Sequence, residues 1–164
     1  MKLKLAALVV AATMSSSVLA DSYFGVNYVD AKVDFGFADA SPSAVMMKYG
    51  SYMGENFSLE GRLAFGLSDD TTFGVDIEVD QMLGLYGVYN FQPDGDFNPY
   101  VMIGYTDGEI SADGVSGSES DFSFGLGADI AVGETSAINL EYATFLDKDG
   151  VEISGISAGF TWNF

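Results

Sequence analysis

Residues 154–164 alternate in type with a period of two, and nothing else in this chain restricts its fold as strongly. Ser154, Ile156, Ala158, Phe160, Trp162 and Phe164 fall on one side of an extended chain, with Gly155, Ser157, Gly159, Thr161 and Asn163 on the other. The pattern recurs three times. Phe57, Leu59, Leu63 and Phe65 oppose Ser58, Glu60, Arg62 and Ala64; Phe122, Phe124, Leu126 and Ile130 oppose Ser123, Gly125, Gly127 and Asp129; Ile138, Leu140 and Tyr142 oppose Asn139, Glu141 and Ala143. Residues 23–29, 43–53, 75–91 and 100–106 repeat it less regularly, which predicts eight strands in all. Pro42 and Pro93 fall between these strands and Pro99 opens one, so none is interrupted by proline.

The two faces differ in chemistry. Across the eight strands the apolar face carries no Asp, Glu, Lys or Arg, whereas Lys48, Glu60, Arg62, Asp129 and Glu141 sit on the opposite face among Gly, Ala, Ser, Thr and Asn. A soluble sheet would show water a face of long charged residues. A bilayer enforces the arrangement seen here, because a Lys or Arg on the lipid face costs about 2–4 kcal/mol at mid-depth. Small residues then suit the narrow lumen that eight strands enclose. Connections also alternate: 53–56, 92–98 and 133–135 are short, whereas 30–42, 68–74 and 107–120 are longer and polar, with 147–150 a compact fourth member of that set. Long and short in turn place the longer loops at one end and both termini at the other. The expectation is an all-β fold, an eight-stranded antiparallel up-and-down transmembrane β-barrel, closed because open strand edges cannot stand unpaired among lipid tails.

Before this domain, Lys2 and Lys4 precede a short apolar run at 5–12, and Val18 and Ala20 stand at the −3 and −1 positions of a cleavage site. That is the layout of a cleavable signal peptide, too short in its apolar part to span. The domains expected are therefore 1–20, signal peptide, and 21–164, barrel.

Composition removes most other functions. The chain of 164 residues has 24 acids against 6 bases, a net charge of −18, so no basic patch exists to neutralise phosphates and no nucleic-acid partner is expected. Without Cys there is no disulfide framework or thiolate metal site, and without His the commonest metal ligand and general base are gone. A Ser-His-Asp arrangement cannot be assembled, and exposed loop carboxylates such as Asp107 and Glu109 have no cause to be tuned as acid and base. Neither an enzyme, a cofactor nor a metal is expected.

Three segments carry a resemblance: Tyr23-Phe24-Gly25-Val26, Leu59-Glu60-Gly61-Arg62 and the terminal Phe160-Thr161-Trp162-Asn163-Phe164. With the signal peptide and the eight alternating strands, the chain resembles the small outer-membrane barrels of Gram-negative bacteria, the OmpX/Ail-like proteins and the OmpA barrel domain. The resemblance implies residence in the outer membrane among lipid and lipopolysaccharide. It also implies periplasmic chaperones and the barrel-assembly machinery as partners, the latter reading Ile156, Ala158, Phe160, Trp162 and Phe164 as an assembly signal.

Three sets of residues are candidates for function. The lumen set, Lys48, Glu60, Arg62, Asp129 and Glu141, either lines and gates a narrow ion path or pairs internally to fill the barrel. Most of the 24 acids lie in or beside the longer loops, among them Asp30, Asp34, Asp69, Asp70, Asp113, Asp147 and Asp149; this field either attracts cations or serves solvation. Tyr49, Phe57, Tyr89, Phe91, Trp162 and Phe164 fall near the short turns, where a girdle of aromatic rings meets the headgroups. The leading reading is a non-enzymatic outer-membrane protein serving envelope structure or surface interaction. A narrow channel is the alternative, and a soluble ligand-carrying barrel of lipocalin type the third.

Overall fold

Strand pairing leaves a row of unpaired backbone groups at each edge of a sheet, and this chain removes both edges by joining its first long strand to its last. The computed structural model describes residues 21–34, 39–68, 70–72, 75–112, 115–148 and 151–164. Its strands are β1 (Ser22–Asp34), β2 (Asp39–Ala40), β3 (Ser43–Tyr52), β4 (Phe57–Ser68), β5 (Asp70–Thr72), β6 (Val75–Asn90), β7 (Phe97–Ala112), β8 (Val115–Ala131), β9 (Ser136–Lys148) and β10 (Val151–Asn163). The eight long strands pair antiparallel with their sequence neighbours, and β10 closes on β1 from Tyr23 opposite Asn163 to Asp34 opposite Glu152. The short β2 and β5 extend the hairpins against β1 and β6. The closed eight-stranded up-and-down barrel is therefore as the alternation predicts. The signal peptide expected at 1–20 lies outside the described residues.

Apolar side chains of the lipid-level wall point outward. Leu85, Ile103, Phe122, Phe124, Leu126, Leu140 and Ile156 are all exposed, while Asn27, Ser58, Asn139, Ser157 and Thr161 are buried inside. Glycines on the inner face leave room for larger neighbours. At the closing seam, a Cβ on Gly159 would lie 2.0 Å from the Val26 carbonyl oxygen and 2.6 Å from the Asn27 Cα, so only glycine lets β10 approach β1 this closely.

Two expectations need correction. Of the segment 107–120 expected as a loop, residues 107–112 and 115–120 form a two-stranded ribbon of β7 and β8, registered from Asp107 opposite Ser120 to Ala112 opposite Val115. Likewise β1 runs on to Asp34, five residues beyond the end predicted at 29, and Pro99 is the third residue of β7 rather than its first. About 9–11 residues of tilted strand cross a bilayer, and β8 has 17. The surplus stands beyond the hydrocarbon.

The second correction follows from the first, because polar-in and apolar-out does not hold along the whole barrel. From Val29 onward β1 reverses its chemistry: Val29, Ala31 and Val33 are buried, while Asp30 and Lys32 are exposed. Where the wall leaves lipid for water, the outer face turns charged and the inner face must supply its own apolar core. Ala44, Met46, Ala64, Met82, Phe145, Leu146 and Ile153 join Val29, Ala31 and Val33 in one buried cluster at this hairpin end. A β-bulge helps, since the register of β9 against β10 slips between Ile153 and Ser154, leaving Phe145 without an opposite residue and turning it and Leu146 both into the core.

The orientation of the lower wall makes a direct prediction. Leu140 is exposed on the outer face between Ala128 and Ala158, so Leu140→Arg should lower unfolding stability in lipid vesicles by about 2–4 kcal/mol. Reversible urea titration followed by gel mobility would measure it. A neutral effect would mean that this face meets water.

Candidate functional site

Any charge excluded from the lipid face must be accommodated inside, and β4 places two there by the period of two: Glu60 and Arg62, both buried. Arg62 donates from Nε to Glu60 Oε1 at 2.5 Å. Its two terminal nitrogens reach across the lumen to β9, where Nη1 meets Glu141 Oε1 at 2.5 Å and Nη2 meets Oε2 at 2.8 Å. In the strand order β4 and β9 stand on opposite walls. This bidentate pair thus crosses the barrel, in the planar geometry that arginine and carboxylate share.

Tyrosines complete the layer. Tyr23 Oη donates to Glu60 Oε2 at 2.7 Å and Tyr100 Oη to Glu141 Oε2 at 2.6 Å, while the Arg62 guanidinium stacks 4.6 Å from the Tyr86 ring centroid. All four carboxylate oxygens of Glu60 and Glu141 are therefore engaged. Tyr86 Oη in turn bonds Thr106 Oγ1. An amide chain runs beside them: Asn27 donates to Asn139 Oδ1 at 2.6 Å, and Asn139 donates to the Tyr100 hydroxyl at 2.9 Å and to Asp129 Oδ1 at 2.8 Å. Burying charge costs several kcal/mol per ion unless its hydrogen-bonding capacity is filled. Here each nitrogen of Arg62 and each carboxylate oxygen of Glu60 and Glu141 has a partner.

The other two members of the predicted set stand apart. Lys48 and Asp129 both face inward, yet among the described residues neither is in an ion pair. Sequence reasoning grouped all five; the structure joins three and leaves two beside them. It also missed the inward tyrosines Tyr23, Tyr86 and Tyr100, although each alternates with an outward residue, Phe24, Leu85 and Val101. The phase was the available signal.

These residues divide the lumen into three levels. Above the ionic layer, toward the hairpins, the apolar core of the described residues holds a cavity of about 20 Å³, lined by Met46, Met82, Tyr86 and Phe145 among others. That is room for one water. Below it a polar vestibule of about 1100 Å³, lined by Tyr23, Lys48, Tyr52, Glu60, Asn90, Asn98, Tyr100 and Asp129, opens at the end that holds the termini. Outside, Ile156, Ala158, Phe160, Trp162 and Phe164 form one exposed row along β10 and its end, with Trp162 stacked between Phe160 and Phe24. Among the described residues no three His, Cys, Asp or Glu side chains converge in a way that would hold a metal ion.

Removing one partner of the bridge should be worse than removing all. Arg62→Met leaves two buried carboxylates uncompensated and should cost about 3–5 kcal/mol, whereas the triple change Glu60→Gln, Arg62→Met, Glu141→Gln should recover most of that loss. Urea unfolding of the refolded variants in detergent micelles gives both values. Equal losses would show that the network acts by shape and not by charge.

The sequence matches the family described as outer membrane protein beta-barrel domain over residues 5–164. No curated relative matches it by sequence. Among solved structures it is similar to Neisserial surface protein A, with a TM-score of 0.68, 16% identity and coverage of 87% of this chain and 97% of that one. Ail, the attachment invasion locus protein of Yersinia pestis, in complex with the heparin analogue sucrose octasulfate, gives a TM-score of 0.65 at 16% identity over 88% of this chain and 98% of that one. Outer membrane protein OprG of Pseudomonas aeruginosa gives 0.61 at 13% identity over 88% and 96%. At such identities the likeness is one of fold, and it is the family match across nearly the whole sequence that fixes membership: the chain belongs to the outer membrane protein beta-barrel domain family and resides in the bacterial outer membrane.

Proposed function

We propose that this protein is a non-enzymatic, non-conducting barrel that holds acidic β-hairpins outside the cell, for envelope structure or surface interaction. The observation that carries this reading is the double closure of the lumen. An ion moving along the axis would have to part the Arg62–Glu141 bridge and then cross a level of Met, Leu, Ile and Val side chains with space for a single water. Hydrophobic constrictions of this kind stop ions by dewetting. In this reading the hairpin end faces outward and the termini face the periplasm.

The hairpin end bears on partner choice. Ail is described with a heparin analogue, a polyanion; here Asp30, Asp107, Glu119 and Glu152 are exposed at the hairpin end, and Lys32 is held by Asp34 at 3.4 Å. Asp69, Asp113 and Asp149 of the expected acidic rim lie outside the described residues. Such a field repels polyanions and attracts cationic partners. No catalytic or cofactor role is assigned, since the chain has no histidine or cysteine.

We further assign the outward row Ile156, Ala158, Phe160, Trp162 and Phe164 to recognition by the barrel-assembly machinery, after passage with periplasmic chaperones. Its side chains are exposed and take no part in the Arg62–Glu60–Glu141 layer, so a change there separates assembly from folding.

Two measurements test these readings. Refolded protein in planar bilayers should give no steady current, and Arg62→Ala should stay silent because the apolar level remains; removing Met46, Met82 and Phe145 side chains together with Arg62 should open a conductance. Reproducible current from the unaltered protein, lost on Arg62→Ala, would establish the channel reading. In cells, Trp162→Ala with Phe164→Ala should lower the amount in the outer membrane severalfold while refolding in detergent proceeds as before.

A further inference from the structure

The vestibule at the terminus end is deep, polar and closed above by the ionic layer, and its floor holds two opposite charges that the lumen network does not use. Lys48 on β3 is only 2% exposed. Its aliphatic stem runs over Gly25, where a Cβ would meet Lys48 Cε at 2.6 Å, and its ammonium stands 5.7 Å from the Tyr100 ring centroid. The glycine and the ring thus fix the stem and deliver the charge into the vestibule. It makes no ion pair among the described residues, although its charge acts on Asp129 and Glu141 across the lumen. Glu60 and Glu141 have all four oxygens committed to Arg62, Tyr23 and Tyr100.

Asp129 on β8 is the counterpart. In the strand order β8 stands across the barrel from β3. Both hydrogen bonds it receives, from Asn139 at 2.8 Å and Thr161 at 3.2 Å, fall on Oδ1, so Oδ2 has no protein donor among the described residues, and Asp129 lines the same vestibule. This ammonium and this carboxylate therefore line a common space from opposite walls, each in the field of the other and with no ion pair between them. A simple anion on Lys48 would have to pass Glu55, Asp94, Asp96 and Glu134, all exposed around the mouth; a simple cation on Asp129 would meet Lys48. A molecule with an ammonium and an acid group satisfies both.

We propose that the vestibule is a blind binding well for small zwitterions, with the acid group of the solute on Lys48 Nζ and its ammonium on Asp129 Oδ2. The acidic mouth draws in the ammonium end first, which orients the solute for that pose. A volume of about 1100 Å³ admits linear amino acids and short peptides and leaves the remaining space to water.

The test uses the full barrel refolded in detergent micelles, with folding of every variant checked by heat-modifiable gel mobility. Glycine, 4-aminobutyrate and 6-aminohexanoate are titrated by NMR against the backbone amides of Asn98, Tyr100 and Thr161, with butyrate and butylammonium as single-charge controls. At least one zwitterion should saturate these shifts, and both controls should bind at least tenfold more weakly. Lys48→Met and Asp129→Asn should each weaken the zwitterion tenfold or more; Lys48→Arg, which keeps the charge, should retain binding within threefold, and Lys32→Met at the far end should change nothing. The proposal fails if no zwitterion saturates, if either control binds as tightly, or if Lys48→Met and Asp129→Asn bind like the unaltered protein. Because binding is read without current, it stands or falls separately from the closed-lumen reading.

Discussion

Backbone amides and carbonyls in hydrocarbon have no water to turn to, and that one constraint organises this molecule. Each unpaired group would cost several kcal/mol, so the sheet must close, and closure happens at β1 and β10, the two strands farthest apart in sequence. Long-range pairing of this sort loses chain entropy before it gains contacts. The seam is accordingly made tight: Gly159 lets the Asn27 backbone come close, and Asn27 ties the first strand to Asn139 and Ser157 by side-chain bonds of 2.6 and 3.0 Å. Closure also creates the lumen, and with it the question of what fills it.

The filling obeys the medium on the other side of the wall. At lipid depth the outer face takes the apolar residues, and the inner face is left with polar and charged ones that must satisfy one another. Eight strands bring opposite walls close enough for an arginine on β4 to reach a glutamate on β9 directly. Beyond the lipid the outer face is solvated, so the inner face can be apolar, and the same β1 strand that shows Phe24, Val26 and Tyr28 to hydrocarbon buries Val29, Ala31 and Val33. One barrel thus behaves as a membrane protein along part of its axis and as a water-soluble one along the rest.

That change explains what sequence could and could not disclose. The alternation of Phe124, Leu126 and Ile130, or of Ile156, Ala158 and Phe160, survives inspection because lipid imposes one chemistry on one face. Strand type, number, order and the inward position of Lys48, Glu60, Arg62, Asp129 and Glu141 all follow from that phase. In 107–120 no alternation of apolar and polar residues announces a strand, and Asp107, Gly108 and Glu109 read as a loop although they pair in register with β8. The inversion after Tyr28 was hidden in the same way: Asp30, Lys32 and Asp34 alternate with Val29, Ala31 and Val33 as regularly as any membrane strand, but with the faces exchanged. Partner choice inside the lumen lay beyond periodicity altogether. It depends on which residues stand across the barrel, and that is a property of register and closure.

The unequal treatment of the two inward cations is the clearest consequence of register. Arg62 finds two carboxylates because β4 carries Glu60 two residues away on the same face and β9 brings Glu141 from across the lumen. Lys48 pairs across the ladder with Arg62 and with Gly25, a like charge and a residue without a side chain. Like charges at adjacent ladder positions repel, so the lysine is pressed away from the arginine, along the groove that Gly25 leaves open and toward the vestibule. An arginine with its fork saturated cannot also be the group that meets a solute, and a lysine denied an internal partner is free to do so. The same pairing that locks the middle of the barrel therefore leaves a buried charge without an ion-pair partner on the wall of the vestibule, and this asymmetry of the lumen follows from the ladder that builds its wall.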